Sequence, residues 1–192
     1  MTALEQAQKL KAKFGDLISE PAEFRGEITI KLTDAERIAE VCGLAKTELK
    51  FNYLVDISSV DNYGEDPRWT VVYHLRNLAN GAELRIKTDV SEEKSELPTI
   101  IGVWRGADWH EREIYDMMGI RFRGHPDLRR ILMWEGYPYF PLRKDFPLAG
   151  KPTDVPGVAF TKIASQEGGP FVTLPGSGNA ISREPRVRTP EN

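Results

Sequence analysis

The stretch that decides the predicted fold is FNYLVDISSVDNYGEDPRWTVVYHLRNLANGAELRI, which spans residues 51–86. Its opening run is β-branched and apolar, as expected for a strand, and a turn-rich loop follows. Apolar residues then alternate with polar ones, and the apolar positions are Trp69, Val71, Tyr73 and Leu75. Asn80-Gly81 is a strong hairpin signal, so Leu84 and Ile86 should return antiparallel to that strand.

Helical and strand patterns also precede this stretch. Apolar residues recur at helical spacing near the N-terminus, at Leu4, Ala7, Leu10 and Phe14. Gly15 should end that helix, and residues 27–32 alternate as a strand. Thr33-x-x-Glu36 matches the capping box of a second helix that ends near Gly43.

The order of elements predicts an α+β fold. We expect a two-layer sandwich of a mixed or antiparallel sheet with helices, followed by an extended C-terminal arm. Residues 1–123 would form the globular domain, and residues 124–148 a proline- and glycine-rich ordered arm. Residues 149–192 have few aromatics and would form an extended tail that orders only on other proteins.

The composition is that of a soluble globular protein. The 192 residues are 40% hydrophobic and 29% charged, with a formal net charge of −3, which gives no general attraction to nucleic acid. Cys42 is the single cysteine, so no internal disulfide is expected. No stretch reaches the roughly 20 apolar residues that span a bilayer, and no signal peptide is evident. The composition therefore predicts a chain that stays in the cytoplasm.

A third helix is predicted from Asp108 to Gly119. Asp108 would cap its first turn while Glu111 reaches back, and Gly119 would end it in the left-handed conformation. Its apolar stripe consists of Ala107, Ile114, Met117 and Met118. The adjacent charges Glu111, Arg112 and Glu113 have two interpretations: a solvated helix face, or a buried or interfacial ion network.

Glycines and prolines interrupt all periodicity after this helix. Because proline favours an extended residue before it, residues 140–148 should run extended. Their apolar residues would share one side, and these are Phe140, Leu142, Phe146 and Leu148. Arg143 and Asp145 would then point the other way.

The sequence lacks a recognisable catalytic or metal-binding motif. The histidines are His74, His110 and His125, and a zinc-protease motif at His110-Glu111 fails because Ile114 replaces the second histidine. His125 and Asp127 could form an acid/base pair, but a turn histidine that bonds its own backbone is favoured. Arg129 and Arg130 could clamp an anion, but pairing with Asp127, Asp116 or Asp145 is favoured.

Two segments nevertheless resemble a known family. The first segment begins with Glu111-Arg112-Glu113-Ile114-Tyr115-Asp116-Met117-Met118-Gly119 and ends with His125-Pro126-Asp127-Leu128-Arg129-Arg130. The second segment is Pro141-Leu142-Arg143-Lys144-Asp145-Phe146-Pro147. Together they resemble the signature of the C-type subunit of respiratory complex I, the proton-pumping NADH:quinone oxidoreductase. Residues 133–140 depart from the family pattern, since Phe140 stands where the family commonly has histidine.

The resemblance implies a structural subunit without a cofactor of its own. FMN and iron–sulfur clusters would belong to partner subunits, and the chain would dock on the D-type subunit near the quinone. It would lie peripherally on the cytoplasmic side of the bacterial inner membrane. The motif residues would be interface or arm-fixing ion pairs, and they are Glu111, Arg112, Glu113, Asp116, His125, Asp127, Arg129, Arg130, Arg143, Lys144 and Asp145.

Two alternatives are compatible with the same residues. The chain could be the equivalent subunit of a related membrane-bound hydrogenase or another quinone-reducing dehydrogenase. It could also be a stand-alone enzyme that uses His125, Asp127 and Arg129 on a small anion.

Overall fold

The computed structural model describes residues 2–148. Its helices are α1 (Ala3–Phe14), α2 (Ile38–Thr47) and α3 (Ala107–Met118). Its strands are β1 (Ala22–Phe24), β2 (Glu27–Leu32), β3 (Tyr53–Asp61), β4 (Trp69–Arg76), β5 (Glu83–Val90), β6 (Glu96–Pro98) and β7 (Arg121–Arg123). No helix among these residues is long and apolar enough to cross a membrane.

Five strands form one mixed sheet in the order β1-β2-β5-β4-β3. All neighbours in it are antiparallel except β2 and β5, which are parallel, and β6 pairs in parallel with β7 in a separate small sheet. The predicted hairpin is confirmed: β4 and β5 are antiparallel, and the N–H of Asn77 donates to Ala82 across the loop. The α+β class predicted from the sequence is confirmed.

The core lies between the helices and one face of the sheet. Alternate strand residues are fully buried there, including Ile30, Trp69, Tyr73 and Ile86. The other face of β2 and β5 carries charged side chains that pair across the strands, as Lys31 does with Asp89. The alternation of apolar and charged residues therefore determines which face of the sheet packs against the helices.

The first helix begins and ends as its sequence requires. Thr2 and Glu5 form a reciprocal capping box, and the chain leaves α1 through Gly15 at φ 58°. The capping box predicted at Thr33 and Glu36 is wrong, because the Thr33 hydroxyl donates to Leu17 instead. A short 3-10 turn, Ala35–Arg37, leads into α2.

Two further expectations are wrong, one about the end of the second helix and one about residues 140–148. The second helix passes Gly43 and continues to Thr47, since its buried apolar face extends that far. The extended course expected for residues 140–148 is also wrong, because residues 141–146 form turns and the N–H of Arg143 donates to Phe140. Leu142 and Leu148 are exposed. The predicted tail, residues 149–192, lies outside the described residues.

The described residues separate into two compact units. The first comprises residues 2–135 and 140–144 and contains every helix and strand given above. The second includes residues 136–139 and 145–148, where the ring of Tyr139 packs edge-on against Tyr137 at 5.6 Å between centroids. The same ring lies 6.1 Å from Phe146.

Candidate functional site

The family motif is built around α3, whose two ends differ from each other in how they are capped. The helix begins at Ala107 with Gly106 as N-cap and no side-chain hydrogen bond, so the predicted capping by Asp108 and Glu111 is wrong. The predicted C-terminal end is confirmed, because Gly119 adopts φ 79° and its N–H donates to Tyr115.

Three of the charged residues on α3 are buried. Glu111 and Asp116 are fully buried and Arg112 is 8% exposed, whereas Glu113 is exposed. Each interpretation of this cluster therefore holds for part of it. Glu113 is solvated, whereas Glu111 and Arg112 are buried within the fold. A buried charge needs a partner, and the partners of these three side chains differ.

Asp116 binds the backbone of the segment that follows β7. Its Oδ2 accepts from the N–H groups of Ile131, Leu132 and Met133 at 3.0, 2.7 and 2.8 Å. Its Oδ1 accepts from the Arg130 guanidinium at 2.5 Å. One carboxylate therefore fixes three consecutive peptide groups and one cation to the last turns of α3.

Arg112 binds the same segment one helical turn earlier. Its Nε donates to the carbonyl of Arg129 at 3.1 Å and its Nη2 to that of Arg130 at 3.2 Å. Its guanidinium also lies over the exposed ring of Trp109. We call Arg112, Asp116 and the backbone of residues 129–133 the α3 anchor.

The α3 anchor keeps its acid ionised. Burial alone would raise the pKa of Asp116, but the N–H of Met133, the Arg130 guanidinium and the remaining N–H groups together hold it below its usual range. The predicted pairing of Arg130 with Asp116 is confirmed, as is that of Arg129 with Asp127 at 2.9 Å. Asp116 and Asp127 are therefore both paired with an arginine, and neither carboxylate is free to bind an added cation.

A second attachment holds residues 140–144. The Nε of Arg143 donates to the carbonyl of Met118 at 2.6 Å, and the N–H of Leu142 donates to that of Met117. The Arg143 guanidinium lies over the rings of Phe140 and Trp69, 4.4 and 5.1 Å from their centroids. A side chain at position 119 would collide with Arg143 and Phe140, so glycine is required there by contact as well as by conformation.

Lys144 is held through its backbone. Its N–H donates to Oδ2 of Asp61 at 2.8 Å, at the end of β3. Asp61 is itself bound by Arg68 through two hydrogen bonds of 2.9 and 3.0 Å, and both side chains are buried. The hydrogen bond from Arg68, more than any other contact, lowers the pKa of Asp61.

Glu111 lies in a different environment from Asp116. It accepts from the hydroxyl of Thr99 at 2.5 Å and from the N–H of Ile100 at 2.8 Å. Burial, helped by the charge of Asp108, raises the pKa of Glu111 to about 7 against these two bonds. Two buried carboxylates on one helix therefore have pKa values that move in opposite directions.

The stability of the fold should depend on the protonation of Glu111. Because folding raises this pKa from 4.5 to about 7, the folded chain keeps a proton that the unfolded chain loses. The contribution is complete below the unfolded pKa and disappears as pH rises through about 7, at a cost of no more than about 3 kcal/mol.

Urea unfolding at pH 5 and pH 8 measures this effect. The free energy of unfolding of the wild type should fall more between the two pH values than that of Glu111→Gln, which cannot ionise. Glu113→Gln, an exposed change on the same helix, should keep the wild-type dependence. Equal falls in the wild type and Glu111→Gln would contradict this account.

His125 is a turn residue, as the sequence predicted. Its side chain is fully buried, and its Nδ1 accepts from the N–H of Asp127 at 3.1 Å. Asp127 and Arg129 are exposed and pair with each other. Among residues 2–148, no group of three or more histidine, cysteine, aspartate or glutamate side chains is arranged to hold a metal ion.

Sequence reasoning missed the residues that receive the motif. Thr99, Trp69 and the Asp61–Arg68 pair have ordinary side chains in strands and loops, and nothing in their spacing marks them as partners of the motif residues. The sequence offered one signal, a pair of opposite charges, since Asp61 and Arg68 flank the loop between two apolar strands. Such a placement favours a buried pair over two solvated charges.

Comparisons with known proteins agree with the motif. Residues 32–152 match the family model for the 30 Kd subunit of respiratory-chain NADH dehydrogenase. The C-type subunit of NADH-quinone oxidoreductase from Geotalea uraniireducens (strain Rf4) is 48% identical over 142 residues, which cover 74% of this chain and 86% of that relative.

Solved structures give the same result for the fold. The trypsin-resistant fragment (1–134) of Nqo5 is 33% identical with a TM-score of 0.57, and the match covers 66% of this chain and 100% of the fragment. A chain of the membrane-bound sulfane sulfur reductase, an archaeal respiratory membrane complex, has a TM-score of 0.65 over 75% of this chain and 85% of its own, at 23% identity. The resemblance inferred from the two motif segments is confirmed, and the chain belongs to the family of the 30 Kd subunit of respiratory-chain NADH dehydrogenase.

Proposed function

We propose that this chain is a non-catalytic structural subunit of the hydrophilic arm of NADH:quinone oxidoreductase. It docks on the D-type subunit near the quinone module, on the cytoplasmic side of the membrane. FMN and iron–sulfur clusters belong to its partner subunits, and its own contribution is to hold a neighbour in place. The observation that carries this proposal is the α3 anchor, in which the motif charges bind the chain's own backbone.

The α3 anchor supports a positional role because its charges are already used. Asp116 accepts from four donors, which uses the capacity of its carboxylate, and Arg112 is bound to two backbone carbonyls. What these bonds accomplish is to fix residues 129–133 without a helix or strand. A small displacement of a redox partner lowers its rate steeply, so a rigid docking segment has a direct functional value.

The anchored segments present apolar side chains outward. Leu132 is 63% exposed and Leu142 is 58% exposed, yet the backbone N–H of each is bound, to Asp116 and to the carbonyl of Met117. We infer that these two leucines, exposed on a fixed backbone, serve a protein–protein contact. Glu113 contributes an exposed carboxylate on α3. We assign these three side chains to the contact with the D-type subunit.

The proposal is tested by a variant that affects the contact and leaves the fold intact. Glu113→Ala should lower the amount of assembled complex, measured by affinity purification of the tagged chain in mild detergent and mass spectrometry of its partners. Its free energy of unfolding should stay within about 0.5 kcal/mol of the wild type, as for other exposed substitutions. Glu93→Ala changes another exposed glutamate, in the loop before β6, and is the matched control.

Two results would count against the proposal. One is recovery of the complex at wild-type level and activity with Glu113→Ala. The other is recovery of the tagged wild-type chain alone, as a stable monomer. Loss of complex with Glu93→Ala as well would show that surface charge in general, rather than this position, controls assembly.

A related membrane complex is the second candidate. The same fold occurs in the sulfane sulfur reductase complex, so the fold alone does not determine the electron donor. The affinity purification separates the two, since an NADH-binding flavoprotein would co-purify in one case and a hydrogenase-type catalytic subunit in the other. A stand-alone enzyme is not proposed, because the ring of His125 is buried and Asp127 and Arg129 are paired.

A further inference from the structure

The fold of α3 leaves one buried acid without a cation. Among residues 2–148, Glu111 has no lysine or arginine as ion-pair partner, and its two donors are a threonine hydroxyl and a peptide N–H. The one basic group near it is His125, whose Nε2 lies 4.0 Å from Oε2 of Glu111. Asp116, five residues along the same helix, has a guanidinium and three peptide donors.

Burial and the charge of Asp108 disfavour ionisation of Glu111, and the hydrogen bonds from Thr99 and Ile100 offset them only in part. Asp108 faces it from the preceding turn of α3, and Thr99 and Ile100 approach from the chain after β6. Cys42 in α2 and Tyr73 in β4 are fully buried and lie within the field of its charge. None of these groups can supply a positive charge at neutral pH.

The proton of His125 can be placed from its hydrogen bonds. Because Nδ1 accepts from the N–H of Asp127 at 3.1 Å, the neutral ring carries its hydrogen on Nε2. That Nε2 is buried and makes no hydrogen bond, although it lies 3.2 Å from Oδ1 of Asp108 and 4.0 Å from Oε2 of Glu111. An unused donor therefore sits between two carboxylates, and the opposite atom of the same ring holds the turn of residues 124–127.

We propose that Glu111 and His125 form a proton-sensitive latch, in which ionisation of Glu111 draws the His125 ring away from the N–H of Asp127. An ionised carboxylate accepts more hydrogen bonds than the two it has here, and Nε2–H of His125 is an unused donor 4.0 Å from Oε2 of Glu111. Closing the 4.0 Å gap to roughly 3 Å moves the ring by about 1 Å. The 3.1 Å bond to Asp127 is then stretched beyond a good hydrogen bond.

The consequence is a turn whose internal hydrogen bond depends on pH. With Glu111 neutral, the His125 ring closes the turn of residues 124–127 by accepting from the N–H of Asp127. With Glu111 ionised, the His125 ring donates to the Glu111 carboxylate and the turn of residues 124–127 loosens. This turn lies just before residues 129–133, which the α3 anchor fixes. The latch is a property of the isolated chain and does not depend on the proposed function.

The test uses the full-length chain labelled with ¹⁵N and NMR spectroscopy. The amide of Asp127 should lose about tenfold in its protection against hydrogen exchange, corrected for intrinsic exchange, as pH rises through about 7. The ¹⁵N shifts of the His125 ring should change with the same midpoint. Glu111→Gln should abolish both changes, because its side chain cannot ionise.

Asp108→Asn gives a second, independent readout. It removes a like charge beside Glu111, so the midpoint should move to lower pH, which a merely structural role of Glu111 would not produce. This result decides the matter even where Glu111→Gln fails to fold. The matched control is Asp56→Asn, which alters the exposed pair of Asp56 with His110, 3.2 Å apart, and should leave both readouts unchanged.

The latch is overturned by either of two outcomes. In one, the protection of the Asp127 amide and the ¹⁵N shifts of the His125 ring change with pH in Glu111→Gln as they do in the wild type. In the other, the midpoint in Asp108→Asn coincides with that of the wild type.

Discussion

Asp116→Asn should lower the free energy of unfolding by about 3 to 5 kcal/mol, which is the usual cost of removing one member of a buried ion pair. The change keeps the shape of the side chain and removes its charge. The new amide can still accept from peptide groups, but its NH₂ donor then faces the Arg130 guanidinium, which is 13% exposed. Urea unfolding followed by tryptophan fluorescence at pH 7 measures the loss.

The control for this prediction is Asp127→Asn. Asp127 also pairs with an arginine, but the side chains of Arg129 and Asp127 are 71% and 57% exposed. Solvent screens such a pair, so its loss should cost no more than about 1 kcal/mol. Similar losses in the two variants would mean that the α3 anchor contributes no more than an ordinary surface pair, and the role assigned to the motif would be wrong.

The regular part of the fold could be predicted from the sequence because its signals are local. Alternation in residues 69–75 and the turn at Asn80-Gly81 specify a hairpin without reference to the rest of the chain. Gly119 marks the end of α3 for the same reason. The class of the fold follows once such elements are placed in order.

The α3 anchor could not be predicted because its acceptors and donors are peptide groups. Any residue can supply an N–H or a carbonyl, so the sequence of residues 129–133 contains no mark of its contact with Asp116. The sequence therefore left two interpretations of the charged helix face open, and the solvated one does not hold at Glu111 and Arg112. The family resemblance pointed to these residues, and the structure shows what Arg112 and Asp116 bind.

The environment of Glu111 was equally hidden from the sequence. A glutamate near a helix start is expected to cap it, and the residue instead turns inward to Thr99 and Ile100, which lie on the chain before the helix. The extended course expected for residues 140–148 failed through a similar contact. Arg143 reaches the carbonyl at the end of α3 and lies over Phe140, and this attachment favours a turn over an extended strand.

Arg68→Met is the second variant with a large expected effect, again about 3 to 5 kcal/mol in the free energy of unfolding. Asp61 is 2% exposed, and without Arg68 its charge would be left with the N–H of Lys144 as its main donor. Methionine retains the length of the side chain and its packing against Trp69, so the loss reports the charge. Thermal or urea unfolding at pH 7 provides the measurement.

The double variant Asp61→Asn/Arg68→Met separates pairing from burial. When both charges are removed, no buried charge is stranded, and replacement of a whole buried pair is often close to neutral. The double variant should therefore recover at least half of the loss, and the asparagine that replaces Asp61 would still accept from the N–H of Lys144. A double variant no more stable than Arg68→Met would contradict this account, because the loss would then come from the cation–π contacts of the guanidinium with Trp69 and Tyr63 and not from a stranded charge.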